Sequence, residues 1–202
     1  RDRIFQIVEN EFSSLIEKIQ SDFITNFKAK QHNFLLKELD PLMSAHMVFV
    51  SSFESKSGNS IQKVAKEVAK LRYGAENVPQ IVNPHHLEHN VQNPNEHEQI
   101  IVSNVDMNNP ELQGKIAEFM TRCEGDSRKK VCCSVNHKSI LELLDGELPI
   151  SNEIHTKPVD LAFWDGDELN IMEIKAGGNL DSSNAPSNAK KLLTIYTGLN
   201  YR

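Results

Sequence analysis

The chain has 202 residues, 39% hydrophobic and 25% charged, with a formal net charge of −6. That length suits one sizeable domain with a buried core better than two small ones, and the composition excludes a disordered or fibrous chain. The acidic balance argues against an indiscriminate nucleic-acid coat protein, which needs clustered Lys and Arg, yet it leaves room for a nuclease, whose metal site is itself acidic.

The N-terminal segment reads as an amphipathic helix, because Ile4, Ile7, Val8, Phe12, Leu15, Ile16, Ile19 and Phe23 recur at three- and four-residue steps. A turn at Asp40-Pro41 and an apolar stretch at 47–50 follow. The polar string 51–60 is expected to be a loop, with Lys56 and Gly58 free to approach DNA or simply leading into a helix. That next helix carries Ile61, Val64, Ala65, Val68 and Leu71, with Asn59 and Gln62 as a capping pair and Gly74 as its stop. Residues 76–98, rich in Asn, Pro, His and Glu, read as an irregular excursion.

Residues 100–105 make a short strand candidate, and Asn109-Pro110 caps and opens a helix running to Met120. A second strand candidate lies at 131–135 and a short helix at 139–144, closed by Gly146. Two β-prone runs, 159–164 and 168–175, flank Asp165-Gly166-Asp167, and Asp-Gly between such runs signals a hairpin. Ala176-Gly177-Gly178 then leaves the sheet, and Ser187 or Asn188 caps a final helix bearing Leu192, Leu193, Ile195 and Tyr196. The start at Arg1 without a methionine, and Tyr201-Arg202 following a helix with no closing element, give the expectation of a chain cut at both ends, with C-terminal residues missing.

The hairpin carries the chemistry. Asp160 falls near the start of its first strand, Glu173 and Lys175 near the end of its second, and antiparallel pairing sets those ends side by side. Strand side chains alternate, so Glu173 and Lys175 share a face while Ile174 points the other way. Two carboxylates with an ammonium at a sheet end suit phosphodiester hydrolysis. Asp160 and Glu173 would be hard oxygen ligands for Mg²⁺, the Ile174 backbone carbonyl a further one, and Lys175 would sit by the attacking water or a phosphate oxygen. The bland alternative is a set of polar residues on an exposed hairpin face.

Pro158-Val159-Asp160 followed by Glu173-Ile174-Lys175 resembles the PD-(D/E)xK nuclease signature, with Val159 inserted between proline and aspartate. Ala176-Gly177-Gly178-Asn179-Leu180-Asp181 and the Ser52–Asn59 string are similar to type II restriction endonucleases of the TdeIII kind. The likeness is specific over 157–193 and faint over 50–70. It implies an α/β restriction-endonuclease-like core, with a mixed central β-sheet flanked by α-helices. It further implies Mg²⁺-dependent cleavage of double-stranded DNA at a short sequence, by a homodimer in the cytoplasm of a bacterium or archaeon. A glutamate from an upstream helix, Glu54 or Glu67, would join the metal. Within one domain over 1–202, the mainly helical segment 1–125 would serve recognition or dimerisation and 126–202 would be the catalytic core.

DNA contacts would come from Lys56, Lys190 and Lys191, although a solvated helix face explains the last two equally well. A repair or recombination nuclease of the same superfamily, or a non-catalytic binding module, are the competing readings. His85 and His89 would share a helix face and could hold zinc, but the surrounding Asn and Pro argue for a polar loop. His97-Glu98 lacks a second histidine, with Ile101 in its place. Three cysteines, with Cys132 and Cys133 adjacent, read as free, buried thiols in a reducing compartment, and Trp164 as hairpin packing. No apolar run approaches a bilayer span, so no membrane partner is expected.

Overall fold

A computed structural model describes residues 1–30, 32–92, 98–128, 137–144, 148–175 and 184–200. The expectations at 131–135, Cys132, Cys133, Gly146 and 176–181 lie outside them. The chain divides into two compact units, Arg1–Val78 with Phe163–Ala176, and Pro79–Ala162 with Gly177–Arg202.

The first unit is built on two long helices, α1 (Asp2–Lys30) and α3 (Pro41–Tyr73), joined through the short α2 (Phe34–Glu38). Three links fix their antiparallel register: Lys63–Glu11 at 3.8 Å, Lys56–Asp22 at 2.8 Å, and Lys30 Nζ donating to Ser51 Oγ at 2.7 Å. Partners fall along α3 as they climb along α1. Leu15 and Ile19 of α1 and Val48 of α3 are buried, and α3 also buries the small Ser44, Ser52, Ser57 and Ser60. The N-terminal expectation is met as a helix, but Ile4 and Val8 stay exposed.

The loop expected at 51–60 is corrected: it is helix. Nothing in the string forbids it. Ser55 and Ser57 turn their hydroxyls onto the carbonyls of Ser52 and Glu54, at 3.1 and 3.2 Å, and so satisfy themselves inside the helix. The cap is Asp40 rather than Asn59: its Oδ1 accepts from the Leu42 and Met43 N–H groups at 2.7 and 3.2 Å, with Pro41 opening the helix. Gly74, at φ 95°, ends it.

The second unit holds a three-stranded mixed sheet in the order β1 (Ile81–Val82), β2 (Gln99–Val105), β3 (Ile150–Val159). β1 runs parallel to β2, and β3 antiparallel to it with Gln99 opposite Val159 and Ser103 opposite His155. The two-residue β1 lies inside the stretch expected to be irregular, and β3 begins nine residues before the run at 159 (150 against 159). Central β2 is buried along most of its length, and among the described residues β3 is an edge strand, where Pro158, lacking an N–H, fits.

Helices flank this sheet. α4 (Pro110–Arg128) starts on the expected cap, with Asn109 Oδ1 accepting from Glu111 and Leu112 N–H at 2.9 and 3.2 Å. It contributes Leu112, Ile116 and Phe119 to a core with Val105 and Leu143, the latter in the short turn after α5 (His137–Leu141). α6 (Asn184–Leu199) packs on β2, where Ser103 Oγ donates to the Gly198 carbonyl at 2.6 Å. α6 starts before the Ser187 or Asn188 cap expected, with Pro186 accommodated in its first turn. The chain is thus a mixed α/β protein with a small mixed sheet flanked by helices.

Candidate active site

Asp160 is the single residue between β3 and the next strand, β4 (Leu161–Asp165). It is 5% exposed, between Val159 at 1% and Leu161 at 4%. A carboxylate this buried requires hydrogen bonds, an ion pair or a metal to offset its desolvation. Its surroundings are fixed by Gln99, which is fully buried. The Gln99 Nε2 donates to the carbonyls of Pro79 at 2.6 Å and Ala162 at 2.7 Å, and its Oε1 accepts the Ala162 N–H at 2.7 Å. One side-chain amide therefore pairs with both main-chain groups of Ala162, as a neighbouring strand would, and anchors the backbone two residues past Asp160.

β4 and β5 (Glu168–Met172) form the expected hairpin, turning at Gly166-Asp167 with Gly166 at φ 61°. A left-handed residue at this point is what a two-residue hairpin turn requires. Phe163 stacks on Tyr73 at the end of α3, with centroids 4.3 Å apart, so the hairpin is docked on the helical unit. β5 stops at Met172, and Glu173, Ile174 and Lys175 follow it directly. Lys175 Nζ meets Glu173 Oε1 at 2.6 Å, with the glutamate side chain 7% exposed and the lysine 48%. The strand expected to run to 175 is corrected, since β5 ends at Met172; beyond it Glu173 and Lys175 form an ion pair, and Ile174 between them is partly buried.

Glu54 and Glu67 both lie on α3, thirteen residues apart, which is about 20 Å at roughly 1.5 Å per residue. One ion cannot take both. Glu54 is exposed, and Glu67 pairs with Lys70 at 2.6 Å. Lys56 is not on a loop but on α3, bonded to Asp22, whose carboxyl it holds below the usual range by that hydrogen bond and by its charge.

Lys190 and Lys191 come together with a lysine that no sequence signal singles out. Asn108, Gln113, Lys157, Ser187, Lys190, Lys191 and Thr194 line one cleft of about 230 Å³. Lys157 Nζ donates to Asn108 Oδ1 at 2.8 Å, and Gln113 Nε2 to the Met107 carbonyl at 2.7 Å and to Thr194 Oγ1 at 3.2 Å. Lys157 escapes a sequence reading because β3 does not look like a strand before 159. Gln99 escapes because a polar residue heading a strand looks like surface.

Among the described residues no group of three or more His, Cys, Asp and Glu side chains gathers for a metal. Mg²⁺ does not require one: it binds through one or two carboxylates and keeps several waters. Asp160 and the Glu173 side chain are each of low exposure, and each carries a carboxylate. No family model matches the chain, and no curated protein or solved structure is found to be similar to it. No helix among the described residues is long and apolar enough to cross a membrane.

Proposed function

We propose that this protein is a metal-dependent phosphodiesterase of the PD-(D/E)xK type, with Asp160, Glu173 and Lys175 as its catalytic residues. Within that class it is a type II restriction endonuclease, hydrolysing both strands of duplex DNA at a short specific sequence. The observation that carries the reading is the Glu173–Lys175 pair. A carboxylate 7% exposed and an ammonium 2.6 Å from it directly follow a short hairpin strand, while the residue directly before the paired strand is the buried Asp160.

In this reading Asp160 and Glu173 hold Mg²⁺, with the Ile174 carbonyl as a further oxygen. Mg²⁺, when bound, lowers the pKa of a coordinated water and offsets charge on the phosphate. Lys175 orients the attacking water and stabilises the charge that develops on the phosphoryl oxygens. Water oxygen bonds to phosphorus, one P–O ester bond breaks, and the departing alkoxide takes up a proton that water supplied. The chain acts as a homodimer on a two-fold site, and the exposed apolar Leu42, Met43, Met47 and Val50 of α3 favour a second copy.

The pair joins an ammonium 48% exposed to a carboxylate 7% exposed, directly after β5. Incubating the protein with duplex plasmid tests the proposal: fragments with Mg²⁺ and none with EDTA are expected, and intact plasmid under both conditions from folded protein contradicts it.

A further inference from the structure

In a chain of net charge −6, one cleft is lined, among the described residues, by three lysines, four neutral polar residues and no carboxylate. Three elements build it. Lys157 comes from edge strand β3, Asn108 and Gln113 from the start of α4 and the turn before it, and Ser187, Lys190, Lys191 and Thr194 from α6. Two acidic groups lie near in sequence, though neither lines the cleft. Asp106 Oδ1 accepts the Asn108 N–H at 3.0 Å and lies 3.9 Å from His155 Nδ1, while Glu111 pairs with Lys115 at 3.4 Å.

The lining is already ordered. The Asn108 amide holds the Lys157 ammonium, and the Met107 carbonyl and Thr194 hydroxyl hold the Gln113 amide. A lysine ammonium that gives one N–H to a neutral partner has two further N–H groups to donate. Ser187 belongs to the first turn of α6, where the helix dipole favours an anion. The volume of about 230 Å³ equals roughly eight waters at ~30 Å³ each, ample for a phosphate group.

We propose that this cleft is a phosphate-binding pocket in which Lys157, Lys190 and Lys191 clasp a single phosphate group. Taken with the nuclease reading, on which this assignment rests, that group is a backbone phosphate of duplex DNA. The pocket then supplies sequence-independent grip and register, not base readout. The same chemistry would accept free phosphate or a nucleotide, and the test separates these sources.

Binding of a fluorescent duplex is measured by anisotropy in EDTA over a range of salt, so that cleavage plays no part. The proteins are the wild type, a Lys157→Gln/Lys190→Gln double variant, and Lys28→Gln as a charge control on exposed α1. Inorganic phosphate is titrated in parallel by calorimetry. The double variant is expected to bind duplex about tenfold or more weakly, with its log–log salt slope reduced by about 1–2, while Lys28→Gln matches wild type. No duplex binding, but phosphate binding lost in the double variant, upholds the pocket and assigns it a free anion. Neither probe bound by wild type, or equal binding by wild type and a folded double variant, overturns it. Plasmid cleavage is scored separately: a protein that cuts with unchanged salt slope in the double variant loses the pocket alone, and one that binds without cutting loses the nuclease reading alone.

Discussion

The Gln99 side chain is hydrogen-bonded to both the N–H and the C=O of Ala162, at 2.7 Å each, from a position with no solvent exposure. A third bond, to the Pro79 carbonyl at 2.6 Å, makes Gln99 the tie between the approach to β1, the head of β2 and the start of β4. Gln99→Leu keeps much of the volume and strands three main-chain groups. Each buried unsatisfied group costs about 1–3 kcal/mol, so a loss of at least about 2 kcal/mol is expected in urea denaturation. Gln99→Glu still accepts the Ala162 N–H but cannot donate while ionised. Burial raises the pKa of such a carboxyl, so its defect should ease as the pH falls toward the carboxylate range. A Leu variant as stable as wild type would show that these bonds do not hold the segment.

Gly58 distinguishes helix from loop at 51–60. It lies inside α3, and a Cβ built there meets nothing within 4 Å. Gly58→Ala should therefore raise stability by about 0.5–1 kcal/mol through helix propensity alone. Removing the Asp40 cap with Ala should lower it by about 1 kcal/mol. Equilibrium denaturation of both variants decides the matter, and a neutral or destabilising Gly58→Ala would argue for the loop.

Lys66 is 5% exposed on α3, and its pKa is held below 10.5 first by burial and then by the nearby charge of Lys70, against a smaller pull from Glu67. The unfolded chain, at the ordinary value, binds this proton more readily, so stability rises with pH between the lowered folded value and 10.5. At neutral pH the penalty is in force. Lys66→Met should accordingly match or exceed wild-type stability at pH 7 and flatten the increase seen by chemical denaturation toward about pH 10. An unchanged slope in the variant would remove Lys66 from the account.

How far the sequence reaches depends on how local each signal is. The hairpin at Gly166, the Asn109 cap and strand β2 are specified by neighbouring residues, and all are legible. The 51–60 stretch of α3 reads as a loop because Ser, Asn and Gly favour turns in isolation, whereas packing against α1 and serine back-bonding make it helical. Strand β3 shows only at its end because an edge strand needs little apolar alternation. Of the candidate site, the sequence places Glu173 and Lys175 on a strand that in fact ends at Met172, and nothing local marks Gln99 or Lys157. Their roles arise from partners 63 and 49 positions away in the chain.

The central claim concerns Glu173 and Lys175, and plasmid cleavage by wild type beside Glu173→Gln and Lys175→Ala tests it most directly, each with Mg²⁺ and with EDTA. The isosteric glutamine can still accept from Lys175, and circular dichroism first shows each variant folded, so lost activity reports on chemistry. The account predicts discrete Mg²⁺-dependent bands from wild type and none from either variant. Intact plasmid from folded wild type, or the same bands from Glu173→Gln, would contradict it.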